Sequence, residues 1–418
     1  EVGSSAGDAD GGVERWAFVP RGVMSNLWRL ADADYDASHR AYLDATPTIG
    51  DIHNGREWRT ILVGGMGAGG RYYYALDITD PLSPELLWEF VDGGLGLTFG
   101  NPVITKNAAG TWVVAFTSGV NNDLLDGKGR LYVLNAWTGS TLASIPTSAG
   151  TTAAPSNLGR LNAWVTNETD NTALRYYAGD MQGNMWRFDP DNLTPPAGTE
   201  AVLLGQALTE DGTPQPITGK PVLTEMVANG GQPVAVVAFG TGRFMNLGDL
   251  ASTTVQTIYA IKDPLDGTGL GPLRQPAARL VRQRLGSNRL IAQPASLDWN
   301  AQNGWYVDLD VDRGERVVLD GIPLADGVLG FVSTKPNGDP CSGGGTSYLY
   351  QFVLKSGQAS DVYVSDSLIS GISRVADSNG MVNALITRRD QTMDLEQSGG
   401  EGGGRRPKAR YTAWRELN

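Results

Sequence analysis

Thr46-Pro47-Thr48-Ile49, Trp58-Arg59-Thr60-Ile61-Leu62-Val63-Gly64-Gly65, Tyr73-Tyr74-Ala75-Leu76-Asp77 and Leu86-Leu87-Trp88-Glu89-Phe90 follow one another in 45 residues. Each is short and rich in β-branched or aromatic residues, and glycine or polar turns separate them, as expected of consecutive antiparallel strands. The pattern returns. Asn101-Pro102-Val103-Ile104 and Lys220-Pro221-Val222-Leu223 repeat the opening step, and Ala154-Pro155-Ser156 is a weaker copy. Second strands recur at Thr111–Phe116 and Pro233–Phe239, and third strands at Leu131–Asn135, Asn184–Asp189 and Thr257–Lys262. Thr141–Ile145, after the Trp137-Thr138-Gly139 turn, supplies another fourth strand.

Four strands every ~45–55 residues predict the blades of a β-propeller. A four-stranded sheet has two apolar faces that it cannot bury alone, and radial stacking covers both. Trp88 and Trp186 are expected to wedge between neighbouring blades as core. After residue 265 the repeat fades. Leu270–Pro276 reads as a Pro/Gly-rich connector. Gly304–Leu309, Gly327–Thr334 and Tyr348–Phe352 read as strands of divergent later blades, and Tyr411–Leu417 as a last strand closing the ring. The expected organisation is a flexible entry over 1–20, with Val23, Leu27 and Leu30 on one face of a short helix, and a single propeller over 21–418. Ser398–Pro407 reads as a Gly-rich mobile loop.

Composition narrows function. The 418 residues are 41% hydrophobic and only 19% charged, with 55 glycines, which suits a turn-rich all-β fold over a disordered chain. A net charge of −12 repels phosphate backbones, so nucleic acid is not an expected partner. No apolar run approaches the ~20 residues that span a bilayer. A polar start at Glu1 without Met is expected of a segment of something longer, which leaves export open. The single cysteine, Cys341, excludes an intrachain disulfide and a cysteine metal cluster. It sits in a Pro/Gly-rich turn with no neighbouring histidine, so no catalytic role is expected of it. His39 and His53 read as exposed loop residues, since no nucleophile elbow accompanies them.

Two other motifs read as structural. Gly64-Gly65-Met66-Gly67-Ala68-Gly69-Gly70 lacks the strand-turn-helix setting of a phosphate loop and reads as a blade-connecting loop. Asp308, Asp310 and Asp312 alternate along one strand face and would repel unless solvated or bound to a cation. Arg313 stands where an EF-hand loop wants glycine, so an exposed strand end is the reading.

Several ordered motifs together resemble the C-terminal region of PilY-family proteins. They are Thr46–Asp51 with Trp58–Gly65; Tyr177-Ala178-Gly179-Asp180-Met181-Gln182-Gly183-Asn184-Met185-Trp186-Arg187-Phe188-Asp189; Asp339–Gly345; and Trp414–Leu417. The resemblance implies a modified seven-bladed propeller, with Gly179, Asp180, Gly183, Asn184, Trp186 and Asp189 as the structural signature. It implies an exported, non-enzymatic module that passes through the periplasm to the pilus tip. There it binds minor pilins, promotes pilus assembly, opposes retraction, and supports twitching motility and adhesion to a host or abiotic surface. Family relatives carry a calcium loop of the form D-x-D-x-D-x-x-x-D before the signature. Aligned here, its positions fall on Thr166, Glu168, Asp170, Thr172 and Leu174. That set is degenerate, so weak or absent calcium binding is expected, with Glu168, Asp170 and Thr172 the remaining candidates. A shift of register would bring in Asn167 or Asn171. No other cofactor is implied.

Two rival readings carry weight. Ala75-Leu76-Asp77-Ile78-Thr79-Asp80 through Trp88 resembles the repeat of quinoprotein dehydrogenases, which are also propellers. Such enzymes often carry an adjacent cysteine pair, absent here, and shared architecture does not carry activity. A carbohydrate-binding propeller is the other.

Overall fold

The computed structural model describes residues 14–398 apart from 168, 195–199, 229–230, 292, 326, 339–343 and 377–380. Six antiparallel-based sheets form among the described residues. The first holds β1 (Thr48–His53), β2 (Trp58–Gly65), β3 (Tyr73–Asp77) and β4 (Glu85–Phe90). The second holds β5 (Val103–Lys106), β6 (Trp112–Thr117), β7 (Arg130–Asn135) and β8 (Thr141–Pro146). The third holds β9 (Leu158–Val165), β10 (Ala173–Asp180), β11 (Asn184–Phe188) and β12 (Val202–Gln206). In each, strands pair in chain order, so hairpins alone build the sheet.

The later sheets depart from this plan. The fourth has β13 (Val222–Val227), β14 (Pro233–Gly240) and β15 (Thr257–Lys262), followed by β16 (Leu280–Gln283) and β17 (Gly304–Asp308). Here β17 pairs with β15, and β16 lies outermost, parallel to β17. The fifth combines short β18 (Arg316–Val317) and β19 (Ile322–Pro323) with long β20 (Val328–Pro336), β21 (Gly345–Val353) and β22 (Gln358–Ser365). The sixth has β23 (Ile369–Ala376), β24 (Val382–Arg388) and β25 (Met393–Gln397).

Alternation along β6 shows why the sheets stack. Val114 and Phe116 join Ile61, Val63, Tyr73 and Trp88 of the first sheet in one apolar layer. Their neighbours Val113 and Ala115 face the other way and join Leu161, Tyr176, Trp186 and Phe188 of the third. Period two thus buries both faces of the sheet. Similar layers lie between the third and fourth, fourth and fifth, and fifth and sixth sheets. Strands β1, β5, β9, β13, β19 and β23, one from each sheet, neighbour one another in succession, which is the inner wall of a propeller. Each fully buried large side chain contributes roughly 1.5–3 kcal/mol, and tryptophans add directed bonds. Trp88 Nε1 donates to Ala136 O at 2.9 Å, and Trp305 Nε1 to Leu354 O at 2.8 Å, each crossing a sheet junction.

The connector Leu270–Pro276 does more than link. Gln206 N donates to Gly271 O, and Leu273 N to Gln206 O, both at 2.9 Å, so this segment covers the open edge of β12 before β16 covers that of β17. The expected helix is a four-residue α1 (Arg21–Met24) followed by 3₁₀ turns at Leu27–Ala31 and Tyr35–Ser38. Val23 is buried while Leu27 and Leu30 are exposed. Ahead of it, Trp16 Nε1 donates to Pro81 O at 2.8 Å, and Phe18 packs on Tyr74 with ring centroids 5.0 Å apart.

Three local readings are corrected. The Gly64–Gly70 run joins β2 to β3 within one sheet rather than joining two blades. His53 ends β1, half-buried and 4.8 Å from the Trp58 ring, whereas His39 is exposed as expected. Asp308 is buried at the end of β17, paired with Arg274 and Arg282, while Asp310 is exposed. Two arginines borne by the inserted segment supply the cation that the alternation calls for. The expected closing strand Tyr411–Leu417, Cys341 and Glu168 lie outside the described residues.

Candidate functional site

The signature folds as one tight unit. β10 ends at Asp180, Met181–Gly183 turn, and β11 starts at Asn184. Gly183 sits at φ +80, and a Cβ there would meet Ala207 O at 2.4 Å, so the turn requires glycine twice over. Gly179 is needed for space alone, because a Cβ would lie 2.2 Å from Ile217 Cγ2.

Asp180 is the hub of this unit and is fully buried. Its Oδ1 accepts from Gln182 N and Asn184 N, both at 2.9 Å. Its Oδ2 accepts from Ser156 Oγ, Asn184 Nδ2 and Trp186 Nε1, each at 2.9 Å. Five neutral donors therefore surround a buried carboxylate that has no cation beside it among the described residues. Burial pushes its pKa above the ordinary value, against the pull of those donors. With both oxygens occupied by donors and the side chain buried, Asp180 locks the turn. Asp189 acts similarly at the end of β11, accepting from Leu193 N at 2.9 Å and Thr194 N at 2.5 Å.

A second set of residues, whose association the sequence does not show, lies across the next junction. Arg187 and Asp263 are both fully buried and pair at 2.5 Å. Tyr177 Oη donates to Asp263 Oδ2 at 2.6 Å and accepts from Arg175 Nε at 2.6 Å. The Arg175 guanidinium in turn lies 4.3 Å from the Trp164 ring centroid. Burial, then the Asp263 charge, pushes the Tyr177 hydroxyl well above its ordinary pKa. These groups tie the third sheet to the segment after β15. Arg187 stands inside the quoted signature, but its partner is 76 residues away, which no local pattern reveals.

The degenerate loop stands at the opposite end of β10. Asp170 and Thr172 come together, the Thr172 hydroxyl donating to Asp170 Oδ2. Asp170 Oδ1 takes the ammonium of Lys106, from β5 of the second sheet, at 2.6 Å. Those two donors, Lys106 first, hold the Asp170 carboxyl below its ordinary pKa. Asn167 Oδ1 is used within the loop, by Thr169 N at 3.1 Å. The Asn171 amide reaches Ile104 O at 3.4 Å. Thr166 is exposed, and Leu174 packs against the apolar layer facing the fourth sheet. Calcium requires six or more converging oxygens, mostly anionic. The described donors offer one carboxylate with a cation already on it, so they do not fit calcium. No group of three or more His, Cys, Asp or Glu side chains placed to hold a metal occurs among the described residues.

Comparison with known proteins places this geometry. The family model described as the PilY1 beta-propeller domain matches residues 8–290, more than half of the chain. A type IV pilus biogenesis factor PilY1 homolog of Xylella fastidiosa is 32% identical over 379 residues, covering 84% of this chain and 25% of that protein. Type IV pilus biogenesis factor PilY1 of Pseudomonas aeruginosa is 29% identical over 415 residues, covering 87% of this chain and 35% of that protein. The chain thus spans a quarter to about a third of these relatives. The crystal structure of the Pseudomonas aeruginosa PilY1 C-terminal domain superposes with a TM-score of 0.72 at 23% identity, covering 94% of this chain and 90% of that one. That likeness is one of fold.

Proposed function

This chain belongs to the PilY1 β-propeller family, and on that premise we propose that it is the propeller module of a type IV pilus biogenesis factor. It binds minor pilins, promotes pilus assembly against retraction, and supports adhesion and twitching motility, without catalysing a reaction. It works outside the cytoplasm, at the pilus tip. The observation that carries this reading is the likeness to pilus biogenesis factors over 84–87% of the chain. The character of the buried carboxylates agrees with it. Asp180, Asp263 and Asp308 are each held by donors from the fold, and so is buried Glu315, which accepts from Arg289, Ser333 Oγ and Tyr350 Oη, as a rigid scaffold requires. In the same reading the signature residues Gly179, Asp180, Gly183, Asn184, Trp186 and Asp189 serve structure.

Purified minor pilins passed over the immobilised chain test the proposal. Specific retention, lost on heat denaturation, is the expected result. Retention of none of them contradicts it. Incubation with a pyrroloquinoline quinone cofactor, an alcohol and a dye acceptor should give no turnover, and sustained dye reduction would replace the binding reading with the oxidase one.

A further inference from the structure

The donors around Asp170 leave a specific question: what balances this carboxylate, given that the described donors of its loop do not fit calcium. We infer that Lys106 is the loop's resident cation, and that this junction of the second and third sheets is set by protein-borne charge and not by an external metal ion. This stands independently of the proposed function.

Lys106 meets the loop with its backbone as well as its side chain. Its N–H donates to Asn171 O at 2.8 Å, and the Thr105 hydroxyl donates to the same carbonyl at 2.7 Å. Asn171 has a left-handed backbone, φ +56, which belongs with this exchange and with its own N–H donating to Asn167 O at 2.8 Å. A parallel bridge joins Lys106 to Thr172. Two residues on, Ala108 N donates to Asp191 Oδ2 at 2.9 Å, so the β5–β6 hairpin is fastened to the third sheet at a second point. The Lys106 side chain is only 20% exposed, and its ammonium lies 5.8 Å from the Trp112 ring centroid. The amine is therefore delivered to Asp170 by a fixed strand, a bonded loop and an aromatic floor. A divalent ion on the same carboxylate must displace this ammonium or sit beside it at a like-charge cost.

Reversing the charge tests the assignment on the full chain. Thermal unfolding is followed in 10 mM calcium chloride and in sodium chloride of equal ionic strength. For the parent chain the two midpoints should agree within about 1 °C. In Lys106→Asp two carboxylates face one another, and calcium should raise the midpoint by about 2 °C over sodium, as a millimolar site would. Lys106→Asp with Asp170→Asn should lose that response. A parent chain that responds to calcium as strongly as Lys106→Asp overturns the inference, as does a Lys106→Asp chain no more responsive than the parent. Amine acylation gives an answer even if that variant fails to fold. Lys106 should react at least about fivefold more slowly than exposed Lys355, because the carboxylate beside it favours the unreactive ammonium, and Asp170→Asn should remove most of that protection. Equal rates in the parent chain, or protection unchanged in Asp170→Asn, contradict the assignment.

Discussion

The two ends of β10 solve the same problem in opposite ways. At its C-terminal end Asp180 is fully buried and held by five neutral donors, with no cation in reach among the described residues. At its N-terminal end Asp170 is half-exposed and held by the ammonium of Lys106 and one hydroxyl. The difference shows in their pKa values, which burial raises at Asp180 and ion pairing lowers at Asp170. Neutral dipoles fix geometry without a counter-ion but leave the desolvation of the charge uncompensated. An ammonium compensates the charge, but near solvent it adds little stability. The buried end therefore holds the fold together, and the exposed end sets how a junction is tied.

The largest effect expected is at the charge pair buried beyond this strand. Arg187→Met leaves the buried Asp263 charge without its counter-ion and should cost about 3–5 kcal/mol in denaturant unfolding. Asp180→Ala should cost about 3 kcal/mol, because Trp186, Asn184 and Ser156 lose their acceptor together. A loss below about 1 kcal/mol there would break the contrast with Asp170. Tyr177→Phe removes a hydroxyl that bridges Arg175 and Asp263 and should cost about 1–2 kcal/mol.

Acidity sharpens the comparison, because the two ends should respond with opposite sign. Asp180 has a folded pKa above the ordinary 3.8, so its contribution is fully present below 3.8 and is lost as pH rises through the folded value. Asp170 has a folded pKa below 3.8, so its contribution is present above 3.8 and is lost as pH falls through the folded value. The stability difference between parent and Asp180→Asn should thus shrink as pH rises from about 3. The difference between parent and Asp170→Asn should be the smallest of the series, and should shrink as pH falls.

The sequence reveals some of this arrangement and hides the rest for physical reasons. Period-two alternation in Thr111–Phe116 is readable because both of its faces are buried by neighbours of the same kind. The insertion between β15 and β17 is not. Leu270–Pro276 looks like a linker because its strand-like bonding is to an edge 65 residues earlier, with no alternation of its own. Val23, Leu27 and Leu30 suggest one amphipathic helix, yet the segment breaks into short turns with only Val23 covered. Asp308 looks solvated in sequence because Arg274 and Arg282 belong to that same unrecognised insertion. The signature turn is legible as a block, but the donors that saturate Asp180 include Ser156, 24 residues away. Lys106 is invisible for the same reason, since it meets Asp170 across 64 residues. Pairings within a hairpin leave a local pattern, whereas pairings across a blade junction leave none.

Whether this propeller does the work of its family can be asked directly in cells. A chimera in which this chain replaces the matching C-terminal region of the Pseudomonas aeruginosa relative would be expressed in cells lacking that protein. Surface pili counted by electron microscopy should return, with equal numbers in calcium-replete and calcium-depleted medium. A chimera that is exported and folded yet yields no pili would contradict the proposed role.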